Sequence, residues 1–324
     1  MQLERVAVVG AGAWGTALAQ AAAMAGRTVA LVGRDRAVIE EINQRSTNSR
    51  YLGDIQLSER ISGVDHLNDH ADFVIMAVPA QQTRAALKAV GPAPLAGKPV
   101  ILSAKGLETG TLLRQSEILA ELAPDAIPFV LSGPSFASDV AAGRPTAVTL
   151  AGDDASDTSD LAAALAGPAL RPYAADDRIG VEIAGALKNV YALACGAVEG
   201  AGLGMSARSA LIARAFAELS RFVVAMGGSA STLTGLAGLG DLTLSCTSTQ
   251  SRNYLYGVTL GRGEAPPADM LAEGVATAPV ALGLARELDI DVPLVEAVNK
   301  LLEGTESIDE IVAGLMSRPL KREG

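Results

Sequence analysis

The chain begins with a strand, a glycine-rich turn and a helix, and no other stretch restricts its fold as strongly. The run RVAVV at Arg5–Val9 leads directly into GAGAWG at residues 10–15, which matches G-x-G-x-x-G, and a helix of small residues is predicted over Thr16–Ala25. In this context Gly10 permits a tight turn, Gly12 lets the backbone approach a pyrophosphate, and Gly15 lets the helix pack closely on the strand. The stretch therefore predicts a dinucleotide site with the phosphates at the helix N-terminus.

The tip of the second predicted strand carries information about the cofactor. This strand, Thr28–Val32, ends in Gly-Arg-Asp, with Arg34 and Asp35 as the polar residues. An acidic residue at this tip is typical of NAD sites because it binds the ribose hydroxyls, whereas an arginine accommodates the 2′-phosphate of NADP. Arg34 therefore favours NADP over NAD, while Asp35 fits equally well as the N-cap of a predicted helix at Arg36–Gln44.

Strand and helix patterns continue to alternate through the first half of the chain. Further strands are predicted at Phe73–Val78, Val100–Leu102, Phe129–Leu131, Ala147–Leu150 and Leu170–Tyr173, with a helix at Asp157–Leu165. This alternation predicts an α/β Rossmann domain with a doubly wound, mainly parallel sheet over residues 1–178.

Three polar or glycine positions follow strands of this predicted sheet. Ligands of such sheets bind beyond the carboxyl ends of the strands, where Lys105, Gly133 and Ser135 fall. The chain has only six lysines against twenty arginines, so a lysine in a glycine-containing turn after a buried strand favours a functional role. A solvated loop charge is the alternative for Lys105.

From Ile179 onward helical periodicity replaces the strand signals, which predicts an all-α domain over residues 179–324. Helices are predicted at Val181–Val198, Ala207–Met226, from Ser251, and at Thr277–Leu288, Pro293–Leu302 and Ser307–Met316. The first of these is apolar nearly all round and carries one cation, Lys188. Burial would penalise its ammonium form and make the amine a usable base near neutral pH. An ammonium that reaches the surface from a less buried helix is the alternative.

Two other polar groups of the second half are candidates for a site. A glycine-rich passage that begins at Ser231 crowds three glycines around Asp241, and loops held in this way usually serve a site. Asp241 fits a local cap as well. Ser251, Arg252 and Asn253 start a helix whose free amides and side chains would cradle a phosphate, although an ordinary N-cap with a surface arginine explains them too.

Composition narrows the class of protein. With 324 residues, 49% of them hydrophobic and 19% charged, the chain is long enough for two folded domains with a sizeable core. The formal net charge of −10 argues against nucleic acid or an anionic membrane surface as the main partner. No uninterrupted apolar run reaches spanning length, so stable membrane insertion is not expected.

The few cysteines and histidines indicate neither disulfides nor a metal site. Cys195 and Cys246 lie in apolar or small-residue runs as expected for free thiols, which indicates a reducing, cytoplasmic compartment. His66 and His70 have the i, i+4 spacing of a zinc helix but lack a third ligand, so a solvated helix face is predicted instead. Because neither histidine ends a strand, lysine is the candidate for proton transfer.

Six motifs together resemble, in order and spacing, the family of bacterial NAD(P)-dependent glycerol-3-phosphate dehydrogenases. They are GAGAWGTALA, AKGLE, SGPSFA, EIAGALKNV, GLAGLGDLTLSCTS and SRN. The resemblance implies a Rossmann domain followed by a helical domain, a homodimer or similar oligomer, and supply of glycerol 3-phosphate for phospholipid synthesis.

The resemblance also implies roles for particular residues. Lys188 matches the proton acceptor of the family. The substrate contacts of the family are matched by Lys105, Gly133, Ser135, Asp241, Ser251, Arg252 and Asn253. Its cofactor contacts are matched by Ala13, Trp14, Arg34, Lys105, Ala137, Arg252, Leu271 and Glu273, beside the glycines of the first turn. The sequence departs from the family pattern at Ala80, Ser206, Ala213, Ala215 and Tyr254.

With the resemblance, these residues lead us to expect a reversible hydride transfer between C4 of the nicotinamide and C2 of dihydroxyacetone phosphate. Lys188 would exchange the proton of the reacting oxygen, Lys105 would hold the substrate and favour proton release from Lys188 by like charge, and Asp241 would oppose that release. Two other hypotheses are a related hydroxyacid or sugar-acid dehydrogenase and a non-catalytic NADP-binding regulator.

Overall fold

The computed structural model describes residues 3–319, and the first half of this range forms one eight-stranded sheet. The strands are β1 (Arg5–Val9), β2 (Thr28–Val32), β3 (Ile61–Val64), β4 (Phe73–Met76), β5 (Pro99–Leu102), β6 (Ile127–Ser132), β7 (Thr146–Ala151) and β8 (Leu170–Ala175). Both faces of the sheet are buried, because Val6 and Val8 of β1 enter one apolar cluster while Ala7 and Val9 enter another. Continuous apolar strands of this kind are typical of a parallel sheet covered by helices.

The strand order is β3-β2-β1-β4-β5-β6-β7-β8, and all neighbouring strands are parallel except β6 and β7. The chain therefore leaves β1 on one side toward β2 and returns on the other side at β4. This reversal opens a crevice at the carboxyl ends of the strands, where doubly wound folds bind dinucleotides. The predicted fold class is confirmed.

The helices of this half are α1 (Ala13–Met24), α2 (Arg36–Arg45), α3 (Ser49–Leu52), α4 (Thr83–Val90), α5 (Gln115–Leu122), α6 (Ala137–Ala141) and α7 (Ala155–Leu165). Most predicted elements agree with these bounds to within a few residues, but β3 and the helices α3 to α6 were not predicted individually. The sequence of β3, ISGV, contains only two branched apolar residues and a glycine, which is a weak strand signal.

The prediction for the two histidines was partly wrong. His66 and His70 are exposed, as expected, but they lie in the bends and turns between β3 and β4 instead of on a helix face. Within residues 3–319, no group of three or more His, Cys, Asp or Glu side chains is arranged to hold a metal ion.

The second half of the described chain is helical. Its helices are α8 (Arg178–Gly200), α9 (Gly204–Ala225), α10 (Asp241–Thr247), α11 (Arg252–Gly261), α12 (Glu273–Glu287), α13 (Pro293–Glu303) and α14 (Ile308–Met316). The proposed domain boundary between residues 178 and 179 lies at the start of α8 and stays a prediction.

Helix α8 is the centre of this half and is buried from Gly180 to Val198. Glycines let α11 approach it backbone to backbone, since a Cβ on Gly196 would collide with the carbonyl of Tyr254 and one on Gly257 with the carbonyl of Leu193. By length and composition α8 alone, among the described helices, would be apolar enough to cross a membrane, but its whole apolar window is buried inside the protein.

A buried acid joins α8 to the sheet half. The carboxylate of Glu182 accepts hydrogen bonds from Ser116 N at 2.9 Å and from Ser116 Oγ at 2.6 Å, at the N-terminus of α5. Burial raises the pKa of Glu182 above its ordinary value, and the hydrogen bonds from Ser116 and the charge of Arg114 oppose that rise. The contact holds the start of α8 against the Rossmann sheet.

Two predictions about the second half were wrong in detail. The glycine-rich passage after Ser231 is not a loop, because a 3₁₀ helix at Ala230–Thr234 and a π-helical turn at Leu236–Gly240 lead into α10. Gly238 permits this tight winding, since a Cβ there would overlap the carbonyl of Leu233. The helix predicted to begin at Thr277 begins four residues earlier, because Glu273 is the first residue of α12.

Candidate active site

Asp241, the first residue of α10, bridges two lysines that are distant in sequence. Its Oδ1 lies 2.8 Å from Nζ of Lys188 on α8, and its Oδ2 lies 2.6 Å from Nζ of Lys105 in the turn after β5. The Asp241 side chain is fully buried, and those of Lys188 and Lys105 are only 10% and 14% exposed. Lys188 is therefore buried and paired, so the interpretation of a surface ammonium is wrong.

Burial and charge act on the three groups in opposite directions. Burial lowers the pKa of Lys105, the carboxylate of Asp241 opposes that shift, and the charge of Lys188 reinforces it. Burial alone would raise the pKa of Asp241, but the two lysines outweigh it and hold that pKa below its usual value. The cluster thus keeps one ionised carboxylate between two amines, and Lys105 releases its proton more easily than a free lysine.

Further hydrogen bonds hold the two amines in place. Lys188 Nζ also donates to Ser245 Oγ at 2.6 Å, and Lys105 Nζ donates to the carbonyl of Gly133 at 2.9 Å. The hydroxyl of Ser135 donates to the same carbonyl at 3.0 Å. Gly133 has φ +145°, and a Cβ there would lie 2.9 Å from Val148 Cα, so only glycine fits this turn at the end of β6.

A chain of side-chain amides extends the site toward α11 and α12. Asn189 Nδ2 donates to the carbonyl of Lys105 at 2.8 Å, and Asn253 Nδ2 donates to Asn189 Oδ1 at 2.9 Å. Asn253 Oδ1 in turn accepts from Gly274 N at 2.8 Å. The chain links the Lys105 turn to the first turn of α11, where Arg252 stands exposed beside it.

Of the three residues predicted to bind a phosphate, two already make hydrogen bonds within the protein. Ser251 is the N-cap of α11 and its hydroxyl accepts from Tyr254 N at 3.3 Å, so the capping interpretation of this serine is correct. Asn253 is engaged by the amide chain just described. Of the three residues, Ser251 and Asn253 are buried and Arg252 is exposed.

Two residues that the sequence interpretation did not single out belong to this cluster. Ser245 lies one turn after Asp241 on α10, and Asn189 follows Lys188 within a run of apolar residues. A signal was present for both, because i, i+4 polar residues share a helix face and a polar side chain in a buried helix needs a partner.

The glycine-rich turn at the start of α1 has the geometry of a pyrophosphate cradle. Gly10 has φ +117° and a Cβ there would lie 2.6 Å from the carbonyl of Ala77, while a Cβ on Gly15 would collide with the carbonyl of Gly10. At Gly12, by contrast, no atom lies within 4 Å of the Cβ position. Gly12 is also the N-cap, and no side-chain oxygen covers the first amides of α1. The residues present therefore fit a dinucleotide.

The remaining candidate cofactor residues lie on four separate segments of the chain. Arg34, exposed after β2, donates from Nη2 to Gln82 Oε1 at 3.1 Å, which spans the loops after β2 and β4. Ala13 and Trp14 start α1, and Ala137 starts α6. Leu271 is 47% exposed on the segment that leads into α12.

Glu273 connects the helical half to the loop after β4. Its Oε1 accepts from Ala80 N at 3.0 Å. Burial raises the pKa of Glu273, and the hydrogen bond from Ala80 and the charge of Arg252 oppose that rise. The main-chain amide of Ala80 makes this contact, so the contact does not depend on the side chain at position 80, one of the departures from the family pattern.

The other departures lie outside the lysine cluster. Tyr254 is buried and its hydroxyl accepts from Arg208 Nη1 at 2.8 Å, and Ala215 is buried in the helical core. Ser206 and Ala213 are exposed on α9.

Comparisons with known proteins point to one family along nearly the whole chain. The family model described as NAD-dependent glycerol-3-phosphate dehydrogenase N-terminus matches residues 5–158, and the model for the C-terminus of the same family matches residues 177–313. Both halves of the crevice described above lie within these matches.

Individual relatives give the same result. A protein of Brucella canis named glycerol-3-phosphate dehydrogenase [NAD(P)+] is 50% identical over 98% of this chain and 99% of its own length. A Caulobacter vibrioides protein of the same name is 48% identical over the full length of both chains. The crystal structure of glycerol-3-phosphate dehydrogenase from Coxiella burnetii superimposes with a TM-score of 0.91 at 34% identity, covering 97% of this chain and 99% of that one.

Proposed function

The chain belongs to the NAD-dependent glycerol-3-phosphate dehydrogenase family, and on that premise we propose that it interconverts dihydroxyacetone phosphate and sn-glycerol 3-phosphate. It is an NAD(P)-dependent oxidoreductase that acts on a CH–OH group. The observation that carries the proposal is the buried carboxylate of Asp241 between Lys188 and Lys105, at the carboxyl edge of the sheet. A phosphorylated product of this kind serves glycerophospholipid synthesis.

The reaction needs a proton at the oxygen where charge develops. When bound, the reduced nicotinamide supplies the hydride to the carbonyl carbon of the substrate. Lys188 donates the proton to the resulting alkoxide and takes it back in the reverse direction. The two amines and one carboxylate together hold one surplus positive charge when both lysines are protonated, which is suited to stabilising an oxyanion.

The other groups of the site bind and orient. Lys105 is held by the carbonyl of Gly133 and by Asp241, the carboxylate that also binds Lys188. Its amine therefore lies beside that of Lys188 and binds the substrate oxygens. Arg252, exposed at the first turn of α11, binds the phosphate as a charge-assisted hydrogen-bond donor. Binding energy from that remote phosphate holds the carbonyl next to the amines.

Four finer assignments belong to the same proposal. Arg34 at the tip of β2 supports NADP as the preferred cofactor over NAD. Exposed apolar side chains at the start and end of α9, Leu203, Met205 and Val224, support a homodimer, which light scattering on the purified protein tests. The two buried free thiols, Cys195 and Cys246, support a reducing, cytoplasmic location. The domain boundary at residue 178 is supported by the start of α8 there.

One assay tests the reaction and the cofactor together. Oxidation of NADPH, followed by absorbance, is expected on addition of dihydroxyacetone phosphate, and more slowly with NADH at the same concentration. A 2-oxo acid serves as the competing substrate. Turnover of the oxo acid with none of dihydroxyacetone phosphate selects a hydroxyacid dehydrogenase, and cofactor binding without any substrate-dependent oxidation selects a binding protein.

A further inference from the structure

Asp35, next to Arg34 at the tip of β2, has both carboxylate oxygens engaged. Oδ1 accepts from Ala37 N at 3.0 Å and so caps α2, as the sequence allowed. Oδ2 lies 2.8 Å from Nη1 of Arg50, which belongs to α3. A carboxylate at this tip would otherwise accept the ribose hydroxyls of NAD.

The segment that carries Arg50 is anchored on the glycine-rich turn. Asn48, fully buried, donates from Nδ2 to the carbonyl of Ala11 at 3.0 Å and to Thr16 Oγ1 at 2.8 Å. Glu41 on α2 accepts from Ser49 N at 2.8 Å and so caps the start of α3. Arg50 therefore extends from a backbone whose position is set by the dinucleotide turn itself.

We propose that Arg50 is a specificity-determining residue for the cofactor 2′-phosphate, through its ion pair with Asp35. The inference rests on the proposed preference for NADP. Arg50 balances the negative charge of Asp35 and occupies its second oxygen, so Arg34 next to it presents an uncompensated positive charge. Arg50 is a positioning and charge-balancing residue in this role, and contact with the cofactor is made by Arg34.

Electrostatics give the direction of the effect. Without Arg50 the Asp35 carboxylate stands one residue from Arg34, repels a 2′-phosphate and becomes free to accept a ribose hydroxyl. Arg34 and Asp35 are both exposed, so the tip is accessible to a ligand. A cleft of about 460 Å³ lies beside it, lined by Gly33, Arg36 and residues of β3 and the turn that follows β3. Because the pair is exposed, the effect is moderate and falls with added salt.

Cofactor affinity is measured without turnover. Trp14, the only tryptophan of the chain, lies in the glycine-rich turn, so its fluorescence reports binding of NADPH and of NADH to the intact protein. At low ionic strength, Arg50→Ala is expected to raise the Kd of NADPH about 3- to 10-fold and that of NADH less than about 2-fold. Arg50→Lys keeps the charge and is therefore expected to retain most of the wild-type ratio between the Kd values of NADH and NADPH.

Two further variants separate charge balance from other effects. Asp35→Asn, which keeps a good N-cap, restores the NADPH affinity when it is combined with Arg50→Ala. Arg318→Ala, which removes an exposed ion pair with Asp291 in the helical half, changes neither Kd.

Other outcomes overturn the inference. Equal weakening of both cofactors by Arg50→Ala assigns Arg50 to structure, and a loss that Asp35→Asn fails to restore excludes charge balance as the route. A wild-type Kd ratio near one removes the NADP preference itself. A clear wild-type preference that Arg50→Ala leaves intact removes the role of Arg50 alone.

Discussion

Lys188 Nζ lies 2.8 Å from Asp241 Oδ1 although the two residues are 53 positions apart and on different helices. The same carboxylate binds Lys105 on its other oxygen, so one buried anion organises both amines of the site. Removing Asp241 takes the counter-charge from both amines, whereas removing either lysine leaves the carboxylate with one partner.

Replacing Lys188 by alanine is expected to lower kcat about 10²- to 10⁴-fold, because the reacting oxygen loses its positioned proton donor. The affinity for NADPH, measured by Trp14 fluorescence, is expected to stay near the wild-type value, since Lys188 is on α8 and the cofactor phosphates are assigned to the N-terminus of α1. Lys300→Ala, which removes an exposed lysine paired with Glu306, is the matched control. Near-normal kcat in Lys188→Ala would assign the proton transfer to Lys105.

Replacing Asp241 by asparagine leaves two buried amines without their counter-charge. We expect the free energy of unfolding to fall by about 3–5 kcal/mol, as when one partner of a buried ion pair is removed. The Lys105 amine then loses its proton at lower pH, because the carboxylate no longer opposes the effect of burial on its pKa, so the alkaline limit of ketone reduction moves to lower pH. The pH profile of kcat checks this shift, and an unchanged profile contradicts the assigned role of the carboxylate.

Gly12 and Gly15 form a matched pair within the cofactor turn. The Cβ of Gly12→Ala enters open space, so the protein folds normally, but the methyl group occupies the place of the pyrophosphate and both NADPH and NADH bind about 10-fold more weakly. The Cβ of Gly15→Ala collides with the carbonyl of Gly10, so the free energy of unfolding falls by about 1–3 kcal/mol or more and the melting temperature falls with it. Equal melting temperatures for the two variants would contradict the assignment of Gly12 to cofactor binding and of Gly15 to packing.

Arg252→Ala is expected to raise KM for dihydroxyacetone phosphate by about 10- to 100-fold, the cost of one charge-assisted hydrogen bond. The control is Arg262→Ala, which removes an exposed arginine at the opposite end of α11. If both variants keep the wild-type KM, the phosphate binds elsewhere.

Glu218 gives the protein a pH-dependent stability that is independent of the active site. Burial raises its pKa to about 7, although its carboxylate accepts from Leu294 N and Val295 N at the start of α13. A raised pKa stabilises the folded protein below the ordinary carboxyl value of about 4.3, and this contribution is lost as pH rises through about 7. Glu218→Gln does not titrate, so its free energy of unfolding should rise relative to that of wild type as pH increases from 5 to 8, by up to about 3 kcal/mol. Denaturant unfolding at several pH values measures this difference. A constant difference across this range would show that the carboxyl titrates normally.

Several parts of the site were accessible to sequence reasoning because their signals are local. The glycine-rich turn is recognised from contiguous residues, and Lys188 is conspicuous as the single cation of an apolar helix. The strand tips that carry Lys105 and Gly133 follow from the alternation of apolar runs. Ser245 and Asn189 were overlooked because a serine or an asparagine in a helix has many ordinary explanations.

The sequence alone determined the alternation of strands and helices, apart from elements with weak signals such as β3, together with the dinucleotide turn and the family, since each depends on residues that are neighbours along the chain. Only the tertiary structure decided that Asp241 is the shared partner of both lysines, that Asn253 is occupied by Asn189, and that Arg50 balances Asp35. These contacts join segments that are separated by 15 to 136 positions. Such pairs are selected when buried charges and amides find their partners during packing, and no periodicity in the chain encodes that choice.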